Sequence, residues 1–258
     1  MKIQMLPTTF DEKGSATQQQ HLCCLVVDDL VAIDAGSLAM STTPAQKDSI
    51  RDIILTHAHL DHIAGLPLFI DDLFATLRSP ICIRGTIEVI KALEEHIFNW
   101  TIYPRFSELR NDFGEVVAYY PFQPNQPFQV GDLLVTAIEV NHKVPTVGLI
   151  VSDGAAKLAI SSDTAEMDVF WDKVNAETNL SALFIECAFP DELRELAHSS
   201  HHLTPQILGQ ELQKFKITNC PVFVTNIKPM YRQRVLNELA EMNIPNLRIL
   251  EIGKIYQF

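Results

Sequence analysis

Apolar and polar positions along the chain follow two rhythms, one of strand length and one of helical period. LCCLVV (22–27) and LVAIDAG (30–36), divided by Asp28 and Asp29, predict a β-hairpin. IILT (53–56) predicts a buried strand that runs directly into THAHLDH. GLPLFIDDLFATL (65–77) and TIEVIKALEEHIFNW (86–100) repeat apolar residues at helical spacing, with ICIR (81–84) as a strand between them. Further along, LLVTAIEVNH (133–142), VGLIVSD (147–153), KLAISSD (157–163), LSALFIECAF (180–189) and PVFVTN (221–226) predict five more strands. Helices are predicted at 204–215, with Thr204 as cap and Pro205 in the first turn, and at 229–242.

The first half therefore carries strands and then helices, and the second half repeats that order. Two sheets packed together with helices outside satisfy the pattern as one α/β domain over residues 1–258, because no Gly/Ser or Pro linker divides the chain. Several predicted strands end in His, Asp, Glu or Asn. Polar groups on the loops beyond strand ends are where sites usually assemble.

Composition narrows the function classes. Apolar residues make up 47% of the chain, enough for a sizeable core. No apolar run approaches the roughly 18 residues of a transmembrane helix. The stretch MKIQMLPTTFDEKGSATQQQ lacks a hydrophobic segment, so no secretory signal is expected. Cys23, Cys24, Cys82, Cys187 and Cys220 are scattered without CxxC spacing and read as reduced thiols of a cytoplasmic protein. The formal charge of −12 argues against a long nucleic acid, whose binders carry a basic footprint. A small anionic ligand stays compatible, because a bound metal ion supplies positive charge locally.

The candidate chemistry is concentrated in THAHLDH. His57 and His59 are separated by one residue, so an extended segment points both imidazoles to the same side. Asp61 and His62 fall where a helix begins. Surface or capping roles account for single histidines, whereas this density of imidazole and carboxylate suits zinc and its first-row neighbours. The group is too dense for one tetrahedral ion, and two ions sharing a bridging ligand is the simplest arrangement.

THAHLDH resembles the HxHxDH signature of the metallo-β-lactamase-fold hydrolases, and the resemblance covers nearly the whole chain. Its implied fold is an αββα sandwich of two mixed sheets with helices on the outer faces. Asp34 in IDAG is similar to the structural aspartate that precedes the motif, His142 to the third histidine of the first metal site, and Asp163 to the bridging aspartate. More narrowly, HAHLDHIAGLPLF, HIFNWTIYPRF (96–106), FIECAF (184–189), HHLTPQ (201–206) and NIKP (226–229) resemble blocks of the class II cyclic-nucleotide phosphodiesterases. The related RNase Z carries a glutamate like Glu186 and a proton-donating histidine like His202.

That resemblance implies a cAMP phosphodiesterase, with cGMP as an alternative substrate, yielding the 5′-monophosphate. His57, His59 and His142 hold one ion, Asp61 and His62 the other, and Asp163 bridges. Water activated between the ions attacks phosphorus, while His202, oriented by Glu186, protonates the leaving 3′-oxygen. The expected metal is zinc, with manganese, iron or magnesium as alternatives, and homodimers are common for this fold family. One position departs from the family pattern. Its last block reads HIKP, but this chain has Asn226 where that histidine would complete the second site. An amide oxygen is a weaker zinc ligand than imidazole. Weak ligation by Asn226, water in its place, a crippled second site and substitution by His201 all remain open. So do an RNase Z-like nuclease, a lactonase or sulfatase, and a weakly active nucleotide-binding protein.

Other residues fit plainer roles. His96 fits packing or a surface partner, His21 and His198 show no metal spacing, and Cys187 reads as a small buried hydrophobe. Trp100, Tyr103 and Phe106 read as core, with purine stacking as the alternative. Lys228 reads as a solvated lysine, with a phosphate contact as the alternative.

Overall fold

A parallel strand buried on both faces needs a near-continuous apolar run, and this chain supplies such runs twice. The computed structural model describes all residues, 1–258, and its contacts divide the chain into two compact units. One unit comprises Lys2–Gln123 and Ile252–Gln257. The other comprises Pro124–Glu251 together with Met1 and Phe258.

The first unit is built on β1 (Lys2–Met5), β2 (Leu25–Val27), β3 (Val31–Ile33), β4 (Asp52–Ile54) and β5 (Ile81–Gly85). The short pair β6 (Arg110–Asn111) and β7 (Gly114–Glu115) then forms a separate ribbon before β8 (Val117–Pro121). Strand order is β16-β1-β2-β3-β4-β5-β8, with β16 (Ile255–Gln257) returning to the edge. The first three pairings are antiparallel and the last three parallel. Helices α1 (Leu38–Ser41), α2 (Pro44–Ser49), α3 (Leu60–Ile63), α4 (Leu66–Leu73) and α5 (Ile87–His96) belong to this unit. Thr43 and Gln46 form a reciprocal capping box on α2, and Thr86 accepts from Val89 N to cap α5. Leu66, Phe69, Ile70 and Leu93 from α4 and α5 share a core with Ile53, Ile81 and Ile83 from the sheet.

The second unit repeats the pairing scheme. β9 (Pro127–Val130), β10 (Leu133–Glu139), β11 (Val147–Ser152), β12 (Lys157–Ile160), β13 (Ala182–Glu186), β14 (Val222–Thr225) and β15 (Leu247–Ile249) lie in sequence order. Three antiparallel pairings again precede three parallel ones. The helices are α6 (Asp168–Ala176), α7 (Arg194–Ser200), α8 (Pro205–Leu212) and α9 (Arg232–Glu241), of which α6, α8 and α9 pack Phe170, Trp171, Leu208, Val235 and Leu239 against Leu183, Ile185, Val222 and Val224.

The structure corrects several boundaries. The segment 86–100 is helical only to His96, and β10, β12 and β14 stop before His142, Asp163 and Asn226 respectively. These three residues therefore sit on loops beyond strand ends. Thr204 stands before α8, but its hydroxyl makes no capping bond and is buried without a hydrogen-bond partner. Asp191 replaces it: its Oδ1 accepts from the Gln206 amide at 2.9 Å.

Candidate metal and proton-transfer centre

Ligand-type side chains gather on the loops after β3 and β4 in the first unit. His57 and His62 are buried, and His59 and Asp61 are partly so. The His57 ring lies 4.8 Å from that of His59 and 4.1 Å from that of His62, so the extended segment does bring the imidazoles to one side. His59 precedes α3, and Asp61 sits in its first turn, where the helix dipole favours a carboxylate.

Asp34 organises this cluster. Its backbone is left-handed at φ 59°, on the loop leaving β3. Oδ2 accepts from His62 Nδ1 at 2.7 Å, and Oδ1 accepts from the Thr56 amide at 2.8 Å. The Thr56 hydroxyl also donates to Asp34, at 2.9 Å to Oδ2, which makes its oxygen the acceptor for His57 Nδ1 at 3.1 Å. One carboxylate thus sets the tautomer of two imidazoles, one directly and one through Thr56. In both, Nε2 is left with its lone pair free of a proton, an arrangement characteristic of metal-binding histidines. The donor chemistry fits a divalent cation. Gly36 keeps the loop in register: a Cβ there would lie 2.0 Å from the Asp61 carbonyl oxygen. The Asp61 carbonyl itself accepts from Cys23 N at 2.8 Å, and the His62 carbonyl from Ala35 N at 2.7 Å.

The second unit carries its own ligand-type residues. Asp163, Glu186 and His202 are buried, with ligand atoms within 4.8 Å of one another. Glu186 ends β13 and accepts four bonds. Oε1 takes Thr164 N at 3.0 Å and His202 Nδ1 at 2.7 Å, while Oε2 takes Ala188 N at 2.9 Å and Leu203 N at 3.3 Å. Burial pushes the Glu186 carboxyl above the ordinary range, opposed by His202 and the Thr164 amide. Burial alone would lower the His202 imidazole, but the charge and hydrogen bond of Glu186 outweigh it and hold His202 above its ordinary value. The His202 ring also lies 5.0 Å from that of His142.

His142 Nδ1 donates to the His201 carbonyl at 2.9 Å, which again directs Nε2 outward. His201 adopts φ 56°, and its ring engages Asn141 Oδ1 at 2.9 Å. Its observed role is thus to orient His142 through its backbone. Asn226, at φ 52°, donates its amide to Asp163 Oδ1 at 2.5 Å. The nearby anion dictates this orientation, with nitrogen rather than oxygen toward Asp163. The supports supplied by Thr56 and the His201 carbonyl carry no spacing signal and were not singled out from sequence. Phe106 is buried among the rings of Phe98, Phe74 and Tyr103, as core requires, whereas Trp100 is 56% exposed and donates to Glu108. His96 is a surface residue beside Glu95, and Cys187 is fully buried.

Two mixed sheets with histidine- and carboxylate-bearing loops after their strands are the α/β architecture of the metallo-β-lactamase fold. The crystal structure of unliganded yeast PDE1 matches with a TM-score of 0.77 over 98% of this chain and 98% of its own, at 19% identity. Residues 29–219 match the beta-lactamase superfamily domain, and the chain belongs to that family. A probable 3′,5′-cyclic-nucleotide phosphodiesterase of Yersinia pestis is 26% identical over 228 residues, 76% of this chain. This chain spans 64% of the length of that relative. Ribonuclease Z of Methanopyrus kandleri is 27% identical over 118 residues, 45% of this chain and 37% of the relative. No helix is long and apolar enough to cross a membrane.

Proposed function

We propose that this chain is a metal-dependent phosphodiesterase that opens 3′,5′-cyclic nucleotides, cAMP foremost, to 5′-monophosphates. The observation that carries the proposal is the Glu186–His202 pair: a buried imidazole whose Nδ1 engages a carboxylate that accepts four hydrogen bonds. An alkoxide is a poor leaving group, and a positioned general acid is what its departure requires.

In this reading His57, His59 and His142 would hold one divalent ion and Asp61 and His62 a second, with Asp163 as a ligand available to either. Zinc suits the imidazole-rich set best. When bound, such ions supply water activated near neutral pH and neutralise phosphoryl oxygens. Asp34 and Thr56 keep His57 and His62 in the ligating tautomer. Glu186 orients His202 so that Nε2 presents a proton to the departing 3′-oxygen, and Asp163, also buried, adds negative charge that favours the imidazolium. Asn226 offers the second ion a neutral amide, which makes that site the weaker of the two.

The names of the sequence relatives support a phosphodiester substrate, and the net charge of −12 favours a small nucleotide over a long RNA. We read residues 1–258 as one hydrolase domain, because the family match at 29–219 runs through both units. Five unbridged cysteines fit a reducing cytoplasm. Incubation of the purified protein with Zn²⁺ or Mn²⁺ and cAMP, followed by chromatography, is expected to yield AMP. A metal-loaded protein that leaves cAMP intact but cleaves bis-p-nitrophenyl phosphate would redirect the reading to another diester.

A further inference from the structure

The aromatic residues beside His202 have a geometry the hydrolytic machinery does not explain. Phe189 lies three residues beyond Glu186, and its ring meets the His202 ring edge-on at 5.6 Å. The Phe189 ring then meets Tyr231 at 5.9 Å and 52°. Both aromatic side chains are only partly buried, in contrast to the wholly buried Phe184 and Phe170 of the same unit. Their backbones are tied together: Lys228 N donates to the Ala188 carbonyl at 3.2 Å, and Tyr231 N to the Lys228 carbonyl at 3.0 Å. The loop carrying Tyr231 is thereby anchored to the segment carrying Phe189. Met230, 80% exposed, precedes Tyr231 in sequence.

The position of these rings follows from the proton-transfer geometry. His202 Nδ1 is committed to Glu186, so Nε2 is the atom that meets the leaving oxygen. In a cyclic nucleotide that oxygen belongs to the same ribose that carries the base. The base therefore lies one sugar ring away from His202, whichever purine it is. The His202 ring thus neighbours both His142, at 5.0 Å, and Phe189, at 5.6 Å, and Tyr231 adjoins Phe189. We propose that Phe189 and Tyr231 form the platform on which the substrate's base stacks beside His202. This deepens the cyclic-nucleotide reading and rests on it. Stacking uses the π-face that every base presents, so the platform favours a nucleotide over a bare sugar phosphate and discriminates little between adenine and guanine.

The test compares equilibrium binding of 5′-AMP, 5′-GMP and ribose 5-phosphate to the metal-loaded protein by calorimetry. Wild type is expected to bind both nucleotides roughly tenfold or more tightly than ribose 5-phosphate, with little difference between the two. Phe189→Leu and Tyr231→Leu keep apolar volume but remove the π-face, and each is expected to bring that ratio toward one. For cAMP the same variants should raise KM more than they lower kcat, the signature of binding lost equally from ground and transition states. If Phe189→Leu fails to fold, the more peripheral Tyr231→Leu decides. A wild-type ratio near one, or an undiminished ratio in the folded variants, overturns the platform. Base-dependent binding that the variants lose, in a protein that leaves cAMP intact, overturns the proposed activity and keeps the platform. Turnover of cAMP with a ratio of one does the reverse.

Discussion

Replacing Asp34 by Asn changes one heavy atom and removes one charge, yet its consequences should reach two of the proposed metal ligands, His57 and His62. The Asp34 carboxylate accepts from the Thr56 amide and hydroxyl and from His62 Nδ1. An amide has a single acceptor oxygen. If that oxygen stays with the Thr56 amide, the new NH₂ faces His62 Nδ1, which must then become an acceptor. The proton moves to Nε2, the atom needed for the metal. Restoring the ligating tautomer sets two buried donors against each other, a mismatch costing about 1–3 kcal/mol. That corresponds to roughly 5- to 150-fold in affinity and overlaps the 10- to 100-fold typical of lost outer-shell partners. Folding of the metal-free protein should suffer less, because the relaxed tautomer keeps residue 34 hydrogen-bonded to both Thr56 and His62. Only the charge-assisted increment of the His62 bond is lost, about 1 kcal/mol. Titration of metal against a competing chelator, beside urea unfolding of the metal-free protein, separates the two effects. Metal affinity unchanged in Asp34→Asn, or reduced only as far as folding is reduced, would refute the relay from Asp34.

Three further outcomes are expected. His202 is held above its ordinary value, so its imidazolium contribution is complete below about pH 6.5 and declines as pH rises through the folded-state value; Glu186→Gln removes the anion and should move the alkaline limb of the cAMP rate profile to lower pH, while an unmoved limb would dissociate Glu186 from proton transfer. Asn226→His replaces an amide by an imidazole at a left-handed position that histidine tolerates, and metal analysis after dialysis should show more of the second ion retained; unchanged content would mean that this position does not limit the site. Glu211 accepts from Met167 N at 3.0 Å and Trp171 Nε1 at 2.7 Å within the second core, so Glu211→Ala strands two buried donors. It should cost about 2–5 kcal/mol in urea unfolding, and a loss below about 1 kcal/mol would contradict that accounting.

The parts of this molecule that were legible in sequence are those where one force acts locally. Ile53–Ile54, Leu183–Ile185 and Val222–Val224 are fully apolar because their strands are covered on both faces, and they stand out as runs. The crowd of donors in THAHLDH was equally plain. The short strands β1, β8, β9, β15 and β16 were missed, since half-polar segments of three to five residues carry little periodic signal. Strand ends were placed too late because the apolar run continues while the backbone turns. Ser162 at φ 57° and Asn226 at φ 52° break the strand path beside the ligand loops, and propensity does not foresee such strained geometry at non-glycine residues. The His201 carbonyl lay outside any sequence reading, because a backbone oxygen has no residue type.

The four bonds accepted by Glu186 also bear on motion. They join the amides of Thr164, Ala188 and Leu203, which lie on three separate loops, to a single buried side chain. Opening any one of these loops strands part of that carboxylate and weakens the other two. Their amides should therefore exchange hydrogen with solvent with one shared opening free energy, as a cooperative unit rather than as independently fraying loops. His202 belongs to the same unit, so the proposed proton donor is positioned by a collective property of the loops around it.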